Sequence, residues 1–135
     1  MSSKRRLQIA TALLGAVPVV TGVIGMMGLN DPLYAGLNLP RDASVATLDS
    51  NMRFFSGVWL GLGLSVWWLV PRVDRETTLF RAVWLMIFIG GIGRLVSLVA
   101  VGLPLAPFIG FTALELVGAP LFVWLQNRVA KEGNW

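Results

Sequence analysis

The chain has 135 residues, of which 56% are hydrophobic and only 13% are charged, and its formal net charge is +4. Soluble proteins carry about 25% charged residues, and a soluble chain of this length cannot bury so much apolar surface. The sequence contains neither cysteine nor histidine, which excludes disulfides, thiol redox chemistry, imidazole catalysis and the usual zinc and haem ligands. The composition therefore predicts a membrane protein without a metal or other cofactor.

Four segments are predicted to cross the membrane, which takes about 20 consecutive, mostly apolar residues. They cover residues 7–28, 54–70, 80–102 and 106–126. Pro104 and Pro107 mark a tight turn between the last two, because proline cannot continue the hydrogen bonding of a helix. We therefore predict that residues 1–135 form one all-α domain, a polytopic membrane four-helix bundle.

The first span follows a basic cluster, Lys4, Arg5 and Arg6, as the apolar run of a secretory signal peptide does. The apolar run of a signal peptide is about 7–15 residues long, whereas this one has 22. We therefore expect an uncleaved transmembrane span rather than a leader that is removed.

The basic residues predict how the bundle is oriented. Eight of them precede the first span, separate the second from the third or follow the fourth: Lys4, Arg5, Arg6, Arg72, Arg75, Arg81, Arg128 and Lys131. Since cytoplasmic loops are enriched in lysine and arginine, both termini are predicted to be cytoplasmic. Residues 29–53, with Arg41 and Arg53, would then form a long outer loop. Because the basic residues flank apolar segments and form no single stripe, we expect no nucleic-acid partner.

Two charged residues lie inside predicted spans, Arg94 in the third and Glu115 in the fourth. At a rise of about 1.5 Å per residue, Arg94 lies about 12 Å from the outer end of its span and Glu115 about 13–14 Å from the start of the next. Since these spans are antiparallel neighbours, we expect the two charges to meet. An isolated charge at this depth costs about 2.5–3.5 kcal/mol or more, and pairing removes much of that cost.

Arg53 begins the second span at the same outer face and is expected to point inward. With Arg94 and Glu115 it would form a cluster with excess positive charge, unless Asp49 or Asp31 balances it. Such a cluster favours an anionic or carbonyl-bearing ligand, because guanidinium presents a planar fork of donors. The residues expected to support it are Asp49, Asn51, Ser97 and Thr112.

Structural roles account for the same residues. The Arg94–Glu115 pair would tie two spans together without a ligand, and Arg53 would be an interfacial residue that reaches the headgroups. Asp49 or Ser50 is expected to cap the second span. Small residues let helix backbones approach closely. We expect this role for Gly57, Gly61, Gly90, Gly91 and Gly93.

From residue 48 onward the motifs resemble those of the domain-of-unknown-function 4345 family, small bacterial membrane proteins with four predicted helices. The resemblance is carried by LDSNMRFFSGVWLGLGL at 48–64, GGIGR at 90–94 and FTALELVGAP at 111–120. It implies a multi-pass protein of the bacterial inner membrane and assigns no activity. The layout is also similar to that of DoxX/DoxD-type four-helix proteins, some of which are linked to quinone-dependent oxidation.

Three functions fit these residues. The first is binding of a small amphipathic or anionic molecule in an outward-facing pocket around Arg53, Arg94 and Glu115. The second is an accessory or structural subunit of a larger membrane complex. The third is an enzyme or quinone-site subunit, which would need Glu115 as its acid–base group. No nucleophile constellation accompanies Glu115, so no catalytic residue is assigned. The expected partners are the lipid bilayer, a small ligand and another membrane protein.

Overall fold

The structure is a computed structural model, and it describes residues 2–34, 36 and 42–132. This part of the chain is helical and contains no strand. Four segments are long and apolar enough to cross a membrane: Ser3–Gly25, Ala43–Arg72, Thr77–Ala100 and Ala106–Glu132. The predictions of an all-α fold and of four candidate spans are confirmed, and four such helices fit a multi-pass membrane protein.

The first two spans are single α-helices. Helix α1 covers Ser3–Gly25 and is followed by short 3-10 helices at Gly28–Asn30 and Pro32–Tyr34. Helix α2 covers Ala43–Leu69 and continues into a 3-10 turn at Val70–Arg72.

The third and fourth spans differ in regularity. Helix α3 covers Thr77–Ala100 without interruption. The fourth span consists of α4 (Ala106–Ala113), a π-helical turn (Leu114–Gly118) and α5 (Ala119–Glu132).

Helix α2 begins earlier than predicted, so the predicted loop over 29–53 is too long by its last eleven residues. The Oδ1 atom of Asp42 accepts a hydrogen bond from the backbone N–H of Val45 at 3.0 Å. This is the geometry of an N-cap, which satisfies one of the free amides at a helix start. The predicted caps Asp49 and Ser50 lie inside the helix instead. Arg41, which we counted for the orientation, lies outside the described residues.

The chain divides into two compact units. Ala10–Trp68 is the α1–α2 unit, and the described residues of Met1–Ile9 and Leu69–Trp135 form the α3–α5 unit. The single domain over residues 1–135 stays a prediction.

Glycines bring the backbones of α1 and α2 together. A Cβ atom added at Gly22 would lie 2.8 Å from the backbone N of Leu60, and one added at Gly63 would lie 2.8 Å from the backbone N of Val19. The two pairs show that the helices run antiparallel, since the position on α2 falls as the position on α1 rises. Side chains larger than glycine would push these helices apart.

The glycines predicted to pack α2 do not make such contacts. A Cβ atom added at Gly57 or Gly61 meets no described atom of its own unit within 4 Å. The Gly-x-x-x-Gly spacing indicates small residues on one face, but it does not say which face meets a neighbour.

Aromatic rings fill the centre of the α3–α5 unit. The ring of Trp84 lies 4.5 Å from that of Phe122 and 5.9 Å from that of Phe80, centroid to centroid. All three residues are buried. Aromatic pairs at these distances add to the stabilisation from burial alone, so this cluster joins α3 to α5.

Gln126 is a fully buried polar residue that the sequence analysis did not single out. Its Nε2 atom donates to the backbone oxygen of Val73 and to Oγ1 of Thr77, both at 3.0 Å. Gln126 therefore fastens α5 to the turn that precedes α3.

The same turn carries an ion pair that makes stability depend on pH. The Nζ atom of Lys4 lies 2.7 Å from Oδ2 of Asp74, and this hydrogen bond lowers the pKa of the Asp74 carboxyl. A carboxyl with a lower pKa in the folded state adds stability above its unfolded pKa of about 3.9, and that stability is lost as the pH falls through the folded pKa.

We therefore predict that the thermal unfolding midpoint in detergent falls below about pH 4, and falls less in Asp74→Asn. The variant Glu132→Gln, with an exposed carboxyl removed elsewhere, serves as the control and should follow the wild type. An equal fall of the unfolding midpoint with pH in the wild type and in Asp74→Asn would contradict the prediction.

Candidate functional site

Arg94 on α3 and Glu115 in the π-helical turn form an ion pair. The Nε atom of Arg94 lies 2.9 Å from Oε2 of Glu115 and 3.2 Å from Oε1. The side chain of Glu115 is 6% exposed, whereas that of Arg94 is 36% exposed. One nitrogen of the guanidinium thus meets both carboxylate oxygens, and the carboxylate is the more deeply buried partner.

The other end of the Arg94 side chain is open. Its Nη1 and Nη2 atoms carry four of the five N–H donors of a guanidinium, and they make no hydrogen bond with any described residue. The ring centroid of Phe108 lies 5.6 Å from Cζ of Arg94, within the range of a cation–π contact. Arg94 therefore presents a free edge of donors beside an aromatic ring.

The backbone at Glu115 departs from the α-helix because of Pro120. Proline lacks an N–H, and its ring collides with the carbonyl four residues earlier, here Leu116. The wider π-helical turn at Leu114–Gly118 includes Leu116 and ends two residues before Pro120, and its wider backbone relieves the collision. Such turns are frequent at functional sites. The sequence analysis did not anticipate the turn, although Pro120 was the available signal.

Gly91 sets the distance between α3 and the π-helical turn. A Cβ atom added at Gly91 would lie 2.9 Å from Cβ of Glu115 and 3.1 Å from Cδ2 of Leu116. Arg94 follows one helical turn later on the same face, where it reaches Glu115. Additions at Gly90 or Gly93 meet no described atom of this unit within 4 Å, so Gly91 makes the close approach.

The predicted supporting residues near this pair have different surroundings. Thr112 is buried, and its hydroxyl donates to the backbone oxygen of Phe108 at 2.8 Å, so it serves its own helix. Ser97 is exposed, and its hydroxyl makes no hydrogen bond with a described residue. Asn51, on α2, is likewise exposed and makes no side-chain hydrogen bond within the described chain.

Arg53 makes all of its described hydrogen bonds within the α1–α2 unit. Its Nε donates to Oδ2 of Asp49 at 2.6 Å, and its Nη2 lies 3.3 Å from Oδ1 of the same residue. Its Nη1 and Nη2 also donate to the backbone oxygens of Met26 and Met27, at 2.7 and 2.8 Å. Both carbonyls lie past the end of α1, where the α-helical hydrogen bonding stops, and that of Met27 also accepts the backbone N–H of Asn30 at 3.2 Å. Arg53 therefore caps the end of α1.

Asp49 completes this cap from the other side. Its Oδ1 accepts the backbone N–H of Leu29 at 2.8 Å. Gly28 lies in the left-handed region with φ +63°, which is the usual conformation of glycine just after a helix. We call Arg53 and Asp49 the α1 clamp.

Asp49 balances the positive charge of Arg53, which was predicted to be in excess unless Asp49 or Asp31 balanced it. Asp31, the other residue considered for this role, is buried and accepts the backbone N–H of Leu33 at 2.9 Å instead. Arg53 belongs to the α1–α2 unit, and Arg94 and Glu115 belong to the α3–α5 unit. Their grouping in one pocket stays a prediction. Among the described residues, no group of three or more acidic side chains could hold a metal ion.

The α1 clamp yields a prediction at Gly28. An added Cβ would collide with Asp49, and the left-handed conformation costs other residues about 1–2 kcal/mol. Gly28→Ala should therefore lower the free energy of unfolding by at least about 1–2 kcal/mol. Gly57→Ala is the matched control, because open space surrounds that position and alanine favours the helix. Equal stability of the two variants in chemical denaturation would contradict the clamp geometry.

Comparison with known proteins identifies the family. No curated protein and no solved structure matches the chain. The model of one family, Domain of unknown function (DUF4345), matches residues 6–126. The matched range includes both ion pairs, Arg53 with Asp49 and Arg94 with Glu115. The resemblance in the sequence motifs is thus confirmed, and the chain belongs to the DUF4345 family.

Proposed function

We propose that this protein is a multi-pass protein of the bacterial inner membrane that binds a small, anionic or carbonyl-bearing amphipathic molecule at Arg94. One observation carries the proposal. Arg94 uses only its Nε on Glu115, and its two terminal nitrogens make no hydrogen bond with a described residue. Donors left without acceptors in apolar surroundings are costly, and a ligand oxygen would remove that cost.

The chemistry of the ligand follows from the shape of the free edge. Two parallel N–H groups of a guanidinium match the two oxygens of a carboxylate or phosphate, and a single carbonyl oxygen can accept from both. The Phe108 ring beside Arg94 offers an apolar surface for the rest of the molecule. Because Glu115 already balances the guanidinium charge, recognition of the ligand depends more on the geometry of these donors than on net charge.

The predicted orientation of the chain supports a position of the free edge towards the outer face. Arg94 lies six residues before the end of α3 at Ala100, a distance of about 9 Å along the axis. Phe108 stands in the first turn of α4, just after the same connection. With both termini in the cytoplasm, as the positive-inside rule favours, this connection is on the outer side.

Because of the α1 clamp, the proposed binding site includes Arg94 and Glu115 but not Arg53. All three guanidinium nitrogens of Arg53 donate hydrogen bonds to Asp49 or to the carbonyls at the end of α1. We therefore assign Arg53 a positioning role within α1–α2 and leave recognition to Arg94.

A structural or accessory subunit is the second candidate. It is favoured by the contact of both Glu115 oxygens with Arg94 and by the close approach at Gly91, because a neutral, well-packed pair fixes two helices without a ligand. The enzyme or quinone-site alternative has no comparable observation in its support.

Arg94→Lys tests the binding proposal. Lysine keeps the positive charge beside Glu115 but has no planar fork of donors. We use myristate as the anionic probe and myristyl alcohol as its neutral counterpart, with the purified protein in phosphatidylcholine nanodiscs. The wild type should bind myristate in preference to the alcohol, and Arg94→Lys should bind myristate at least about tenfold more weakly, a loss of about 1.4 kcal/mol.

Arg75→Lys is the matched control, because Arg75 is exposed in the turn before α3. It should bind myristate as the wild type does. Equal binding by Arg94→Lys and wild type would overturn the proposal.

A double-mutant cycle separates the structural candidate. If the pair only ties two spans, Arg94→Leu and Glu115→Leu should each lower stability, and the double variant should recover it, because one unpaired charge is worse than none. Recovery in the double variant, together with no myristate binding by the wild type, would establish the structural role in place of the binding role.

A further inference from the structure

A groove between α3 and α5 extends from the start of α3 to its middle, and neither Arg94 nor Glu115 lines it. One cavity of about 450 Å³ is lined mainly by apolar side chains of both helices. A second cavity of about 380 Å³ adjoins it and is lined mainly by polar and basic ones. Arg81 and Asn127 line both cavities, so an apolar groove opens into a basic mouth.

The groove follows from the spacing of residues on the two helices. On α3, the lining residues recur at intervals of three or four, which places them on one face; they are Thr77, Arg81, Trp84, Leu85 and Phe88. On α5, the same spacing holds for Pro120, Val123, Trp124, Asn127 and Lys131. From Arg81 to Phe88 the groove is about 10 Å long, at about 1.5 Å per residue.

The mouth of the groove carries positive charge without a described counterion. The Nη2 atom of Arg81 donates to Oδ1 of Asn127 at 2.6 Å, a neutral acceptor that fixes the guanidinium without neutralising it. Lys131 has no described carboxylate within 4 Å, and neither has Arg81. The guanidinium of Arg128 lies 3.8 Å from the centre of the Trp124 ring, and it adds a third cation at the same helix end.

We propose that this groove binds an anionic phospholipid, with one acyl chain along Trp84, Leu85 and Phe88 and the phosphate at Arg81 and Lys131. Charge complementarity selects the occupant. A zwitterionic lipid brings its own cation to the basic mouth, whereas a lipid such as phosphatidylglycerol brings only the negative phosphate. Apolar lining and cationic mouth are joined in one groove, which matches the joined tail and headgroup of a lipid. Basic pockets between membrane helices are known to accept such headgroups.

This site is independent of the one at Arg94. On α3 its lining residues lie between Thr77 and Phe88, whereas Arg94 lies between this stretch and the end of the helix at Ala100. Its ligand is a component of the bilayer itself and is held by different cations.

The test measures lipid preference by native mass spectrometry of the full chain released from mixed micelles. Phosphatidylglycerol and phosphatidylcholine with identical acyl chains are offered in equal amounts. The wild type should retain phosphatidylglycerol at least about tenfold more than phosphatidylcholine, a factor equal to about 1.4 kcal/mol. The double variant Arg81→Gln/Lys131→Gln should retain the two lipids about equally, since the counter-charge for the phosphate is gone.

A control variant with the same loss of charge distinguishes the groove from general attraction. Arg5→Gln/Arg75→Gln removes two exposed basic residues that line neither cavity, and it should keep the wild-type preference. Loss of the preference in this control as well would overturn the proposal in favour of non-specific attraction by net charge. An unchanged preference in Arg81→Gln/Lys131→Gln would overturn it directly.

Filling the groove tests the acyl chain separately. Leu85 is 57% exposed, so Leu85→Trp adds bulk along the groove without disturbing the buried core. This variant should retain several-fold less phosphatidylglycerol while the basic mouth is intact. Retention equal to that of the wild type would show that no acyl chain lies in the groove and would overturn this part of the proposal. Displacement of the lipid by inorganic phosphate would indicate a simple anion site and would overturn the proposal of a lipid site.

Discussion

A charge on an apolar helix is costly wherever water is excluded from it, and a partner within the protein offsets that cost. Arg53 finds it in Asp49 on the same helix, and Arg94 finds it in Glu115 on the adjacent segment. Much of the local structure serves these two contacts. The π-helical turn carries Glu115, a glycine lets α3 approach that turn, and a left-handed glycine brings the chain after α1 back to Asp49.

Both ion pairs join an arginine to a carboxylate, but they differ in how many nitrogens of the guanidinium are hydrogen-bonded. In the α1 clamp, every nitrogen of the Arg53 guanidinium donates to an oxygen of the protein. In the other pair, a single nitrogen of Arg94 does so, and the opposite edge of the group is free. A guanidinium whose nitrogens all donate to protein oxygens has a structural role, because no nitrogen is left to bind a ligand. A guanidinium with free N–H donors can still bind a further acceptor, and the proposed role of Arg94 depends on this difference.

Composition and hydropathy were sufficient to predict the four candidate spans, since the length of an apolar run is a local property. Counting residues along antiparallel helices brings Arg94 level with Glu115, because both helices rise equally per residue. The partners of Arg53 could not be found this way, because backbone carbonyls at a helix end have no signature in the sequence. The start of α2 was missed for a related reason: Asp42 is a sound cap, but the polar first turns after it lack an apolar run. The spacing of the glycines predicted which helix faces carry small residues, but it did not predict which of these faces pack against a neighbouring helix.

The α1 clamp also bears on how the first two spans are made. The carbonyls of Met26 and Met27 leave the ribosome well before Arg53, the side chain that satisfies them. Until α2 is made, these two carbonyls lack the guanidinium donors, and until α1 and α2 pack together, Nη1 of Arg53 lacks its acceptor at Met26. Neither span is complete alone. If both helices enter a membrane, the end of α1 is therefore capped only once α2 is present, and α1 and α2 are completed as one helical hairpin.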